Sequence, residues 1–157
     1  MTHVGIEYAI LLPILVLQII VLPLSASWMM SVWTNDRMKD ELQEAASQVT
    51  NTIKQLYLAL TGPNVVLTST QVNQVLNLPT TIESHLYYAT GPPSGNYTRL
   101  NLHFILQGTG ISTNSSAIFG SKIHWDSSKF FSNSSSVSIE AGWSSSGNQP
   151  MIWLSFG

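Results

Sequence analysis

The sequence predicts an α+β chain: one long N-terminal helix, apolar and then amphipathic, followed by a small antiparallel β-sandwich-like domain. Three observations carry that prediction. Residues 4–33 contain one acid, Glu7, and no basic residue. Met38, Leu42, Ala45, Val49, Ile53, Leu56 and Leu60 then recur at spacings of three and four, the period of a single helix face. Beyond Pro63 that period gives way to short runs of β-branched and aromatic residues separated by Gly, Pro and Asn, the pattern of strands joined by turns.

The first element is the apolar half of the helix. Roughly 20 helical residues cross the hydrocarbon of a bilayer, and this segment exceeds that, so it can sit in lipid. The first Lys or Arg of the chain is Arg37. A secretory or pilin leader carries positive charge ahead of its apolar core, whereas Met1, Thr2 and His3 alone precede Val4. The expectation is that a leader has been removed, or that Arg37 and Lys39 set the orientation. Pro13 and Pro23 each remove one helix hydrogen bond and crowd the carbonyl four residues back, so a bend or local melting is expected there. A bundle of identical helices would shield the freed carbonyls. Trp28 and Trp33 suit interfacial anchoring in a membrane and suit packing between helices equally.

The amphipathic half follows without a strong breaker between Trp33 and Met38, so one helix is expected over residues 4–60. Ala46 and Tyr57 widen its apolar stripe. Asp36, Arg37, Asp40, Glu41, Glu44, Gln48, Asn51 and Gln55 lie opposite and read as a solvated face, on which Arg37 can reach Glu41 one turn on. Thr61, Gly62 and Pro63 end the helix by the usual Gly-then-Pro logic. Two domains result, residues 1–61 and 62–157.

The second domain holds β-rich runs at 65–67, 72–78, 82–89, 100–106, 117–119, 123–125, 137–141 and 151–156. The 72–78 run reads equally as a helical turn. Loops are expected at 91–96, 108–110 and 142–150. Their spacing suggests an antiparallel sandwich or a strongly twisted sheet. In the last run Ile152, Leu154 and Phe156 point one way and Met151, Trp153 and Ser155 the other, so the C-terminus belongs in the sheet.

Composition excludes several functions. Only 9% of the 157 residues are charged and the net charge is −2, which leaves no basic surface for nucleic acid. With no cysteine, disulfides and thiolate metal sites are excluded. Catalysis finds no support either. The serines around Gly142 and Gly147 lack the Gly-x-Ser-x-Gly spacing of a nucleophile elbow, and His85, His103 and His124 sit in β-rich runs without metal-ligand spacing. No catalytic residue, metal or cofactor is expected, and the chain is not read as an enzyme. Asn96, Asn114 and Asn133 each begin an Asn-x-Ser/Thr acceptor and are candidate glycosylation sites in predicted loops. Ordinary Ser- and Asn-rich loop composition gives the same pattern.

The segment Gly5-Ile6-Glu7-Tyr8-Ala9-Ile10-Leu11-Leu12-Pro13-Ile14-Leu15 resembles the N-terminus of type IV pilins, especially the Tad-type branch, in which a Glu and an aromatic precede an apolar run containing Pro. The arrangement of the whole chain is similar to that of the adhesive pili of archaea. The resemblance implies a precursor inserted in the membrane, trimmed by a prepilin peptidase and handled by pilus assembly machinery. It then implies a helical filament of identical subunits on the cell surface, with the helix in its core. Glu7, Tyr8, Leu11, Pro13, Leu15, Ile19, Pro23 and Trp28 are the implied subunit contacts. Two features depart from the pattern: no basic residue precedes Gly5, and Glu7 stands seventh counted from Met1 where many bacterial pilins have the acid fifth. A carboxylate in an apolar core costs several kcal/mol unless paired, and the N-terminal amine of a neighbour is the nearest unassigned cation. The helix dipole at the start of the helix also suits Glu7. Two functions are thus expected to compete: a major filament subunit used in adhesion, and a membrane-anchored ectodomain or minor pilin-like component that forms no long polymer.

Overall fold

The computed structural model describes residues 3–62, 71–144 and 151–157, with helix side chains described from Leu11 onward. Helix α1 spans His3–Leu60 and stays helical through Pro13 and Pro23. The local melting expected at the prolines does not occur, because each removes a single hydrogen bond while its neighbours keep theirs. The chain divides into two compact units, Met1–Arg37 and Met38–Gly157. The amphipathic half of α1 therefore belongs to the same unit as the sheet.

In that second unit every residue of the predicted stripe is buried, Leu42, Ala46, Val49 and Ile53 completely so. They cover a sheet of seven strands: β1 (Val72–Val75), β2 (Tyr87–Thr90), β3 (Gly95–Leu106), β4 (Ser112–Trp125), β5 (Lys129–Phe131), β6 (Ser138–Ser144) and β7 (Met151–Phe156). Their order is β1-β6-β7-β4-β3-β2-β5. All neighbours are antiparallel except β4 and β7, which run parallel. The α+β class holds, with the described strands gathered into one sheet. Helix α1 closes the core from one side, so a second sheet is not needed for cover.

The pleat sorts residues between the two faces. Leu100, Leu102 and Phe104 of β3, Ala117 and Phe119 of β4, and Ile139, Ala141, Ile152 and Leu154 of β6 and β7 are buried on the helix side. Burial of β7 alternates from Met151 to Phe156 as its sequence predicts. Phe130 and Phe156 close one part of this core, with ring centroids 4.9 Å apart and near-perpendicular planes, a favoured aromatic arrangement. Polar groups fix the helix against the sheet. Thr50 Oγ1 lies 2.7 Å from Ser115 Oγ, Thr113 hydrogen-bonds Gln43, and the Ser121 N–H donates to Tyr57 Oη at 3.0 Å.

Several strand limits differ from the sequence reading. The 72–78 run is a strand over its first four residues, the runs at 117–119 and 123–125 are one strand, and β3 starts at Gly95 rather than near residue 100. Polar residues extend β3 and β4 because only alternate positions need be apolar when one face meets solvent. The turn at 108–110 forms as expected, with Gly108 and Gly110 at φ values of 79° and 74° that side chains rarely adopt. The predicted strand at 65–67 lies outside the described residues.

Candidate functional site

Among the described residues, most of the exposed large apolar side chains lie on the apolar half of α1. No charged residue occurs from Leu11 to Asn35, and successive helical residues step about 100° around the axis. A continuous apolar run therefore leaves no polar face. The large apolar side chains of residues 11–33 range from 39% exposed at Val32 to 74% at Trp33. Scattered exposed leucines are ordinary, but a continuous surface of this kind marks an interaction site or a membrane segment. Its polar side chains are few: the hydroxyls of Ser25, Ser31 and Thr34 donate to carbonyls one turn back, at Val21, Ser27 and Met30, while Gln18 and Ser27 are exposed. The hydrogen bonds of those three hydroxyls are met by the helix itself, so the surface presented is predominantly apolar.

The expected contact residues fall on this segment. Leu11, Leu15 and Ile19 follow one another at four-residue spacing along one side, and each is more than half exposed, as is Trp28. Pro13 and Pro23 are exposed as well. Glu7 and Tyr8 lie in α1, but their side chains fall outside the described residues. By length and composition α1 is apolar enough to cross a membrane, a property shared by anchors and targeting signals.

No family model, no curated protein and no solved structure matches this chain. The chain order of a long apolar N-terminal helix followed by a sheet domain is nevertheless pilin-like in architecture.

In the sheet unit the candidate asparagines are all exposed, though only Asn133 occupies a turn. Asn96 lies in β3 and Asn114 in β4, a correction to the loops expected for them; both strands begin earlier than their apolar runs. Each of these two is paired across strands with a histidine. His124 Nδ1 stands 2.9 Å from Asn96 Oδ1, and His103 Nδ1 stands 2.5 Å from Asn114 Oδ1. His85 Nδ1 lies 3.2 Å from the Gln107 carbonyl. Among the described residues no group of His, Asp and Glu could hold a metal ion.

One cluster escaped the sequence reading. The β4–β7 register sets His124 beside Trp153, β3–β4 pairing sets Asn96 beside His124, and β6–β7 pairing sets Gly142 beside Trp153. These four form a row across the face away from the helix. The sole sequence signal was the outward phase of Trp153 in its strand; which strands flank it is a long-range matter.

Proposed function

We propose that this chain is the structural subunit of an extracellular filament of type IV pilus kind, polymerising through residues 11–33 and used for surface attachment. The single observation that carries the reading is the apolar half of α1, whose described side chains are exposed, while the core of the other unit is complete without it. Fully burying one large aliphatic or aromatic side chain contributes about 1.5–3 kcal/mol. The exposed set therefore represents on the order of tens of kcal/mol available to association. Packing sister helices around the segment realises that energy and covers the carbonyls freed at Pro13 and Pro23. The precursor would rest in the membrane before assembly, and the sheet unit, with Asn96, Asn114 and Asn133 as candidate glycan carriers, would face outward.

The same helix suits a membrane-anchored ectodomain, or a minor component of a filament machine. Electron microscopy of material sheared from the cell surface separates these readings, using an antibody raised against the sheet unit. Decorated fibres are the expected result. Label confined to membrane fragments, with the chain present as single copies, overturns the filament reading.

A further inference from the structure

A cleft of about 520 Å³ opens on the sheet unit, lined by Asn96, His124, Asp126, Ser144, Met151 and Trp153 with the backbone of Gly95. Its volume falls within the range of ligand pockets, roughly 300–1,000 Å³. Its one indole among the described residues is Trp153. A Cβ built on Gly142 would lie 2.8, 3.1 and 3.2 Å from Nε1, Cε2 and Cζ2 of that indole, so the pyrrole-side edge of the ring is held close against the glycine backbone. Trp153 is only half-buried, and its remaining surface lines the cleft.

Around Trp153 stand hydrogen-bonding groups: a carboxylate, an amide, an imidazole and a hydroxyl. Asp126 is exposed and accepts a hydrogen bond from Ser94 Oγ at 3.4 Å, leaving further acceptor capacity. The His124 contact holds Asn96 by its Oδ1 and so leaves the amide nitrogen for other partners. Ser144 adds a hydroxyl at the rim. No Lys or Arg lines the cleft among the described residues, which disfavours phosphates, sulfates and acidic sugars.

The geometry points to a binding site for neutral saccharides. A pyranose has one face of polarised C–H bonds, which suits the negative face of an indole, and an edge of hydroxyls that both donate and accept. Trp153 meets the first; Asp126, Asn96, His124 and Ser144 meet the second. The sugar has two sources. It arrives as a free or surface-borne oligosaccharide, or it is the glycan attached to Asn96 itself, whose sequon Asn96-Tyr97-Thr98 opens β3; in the second case the Asn96 nitrogen is the attachment point, and Asp126, His124 and Ser144 meet the hydroxyls. The site belongs to the sheet unit and stands whether or not the helix polymerises.

The test uses the full-length chain in a sugar-free detergent, made in cells without N-glycosylation and applied to an array of neutral and acidic oligosaccharides. The chain isolated from its native cells is analysed in parallel by glycopeptide mass spectrometry and NMR. For the first source, at least one neutral oligosaccharide is retained, and binding falls at least tenfold in Trp153→Ala and in Asp126→Ala. Asp126 is exposed, so the second variant keeps the fold, and Trp28→Ala on the helix serves as an unaffected control. For the second source, the array is blank but the native Asn96 peptide carries a hexose, whose ring protons show an upfield ring-current shift that Trp153→Ala abolishes. Preference for acidic oligosaccharides, binding that survives both variants, or a blank array together with no ring-shifted sugar on Asn96 would each overturn the proposal.

Discussion

Ile53 is fully buried at the middle of the amphipathic half of α1, so Ile53→Ala measures how far that helix face completes the core of the sheet. The change deletes three carbons. At about 0.8 kcal/mol for each buried methylene the transfer loss is about 2.4 kcal/mol, and incomplete collapse of the cavity adds about 1–2 kcal/mol. A loss of about 3.5–4.5 kcal/mol is expected. With a urea dependence near 2 kcal/mol per M for a unit of this size, the midpoint falls by roughly 2 M. The assay is urea unfolding of the full chain in mild detergent, followed by tryptophan fluorescence, whose change reports chiefly the exposure of the completely buried Trp125. Leu17→Ala is the matched control: Leu17 is 62% exposed in the other unit, and its removal leaves the same transition in place. A loss below about 1 kcal/mol for Ile53→Ala, or an equal loss for Leu17→Ala, would refute the reasoning that only the second half of α1 belongs to the folded core.

Two further outcomes test the sheet unit. A Cβ on Gly91 would lie 2.4–2.5 Å from three atoms of the Trp125 ring, and that ring has no exposed surface into which to move, so Gly91→Ala should cost about 1–3 kcal/mol by overpacking; an unchanged melting temperature would contradict the close approach. Burial pushes the Tyr87 phenol up from 10.0 to about 12, with its hydroxyl donating to the Pro79 carbonyl at 2.8 Å. The unfolded chain then loses this proton near pH 10 while the folded chain keeps it. Stability is consequently full below pH 10 and declines as pH rises from about 10 to about 12. Thermal melts across that window should show a fall that Tyr87→Phe diminishes, and identical profiles for the two proteins would contradict it.

What the sequence made legible was local. The stripe from Met38 to Leu60 is buried residue for residue because helical period alone determines which side chains share a face. The alternation of β7 and the turn at Gly108 and Gly110 were readable for similar reasons. The sheet's organisation was not. The parallel join of β4 to β7 links Ile123 with Ile152 across the chain, and no local pattern records which distant strands pair. The early starts of β3 and β4 were hidden because residues such as Asn96 and Asn114 face solvent and carry no apolar signal. The cleft lined by His124, Asp126 and Trp153 inherits that blindness: the first lies near the end of β4, the second just after it and the third in β7, and they meet only through register. The apolar surface of α1, by contrast, was apparent from composition, since a run without charge leaves no side that water can satisfy.

The most direct measurement of what covers that surface is photo-crosslinking on intact cells, with a benzophenone residue in place of Leu17, 62% exposed on the apolar half of α1. Illumination of assembled surface material is expected to yield a ladder of covalent dimers and higher multiples of this chain. Products consisting of single chains joined to lipid, with no multimers, would contradict assembly through the helix.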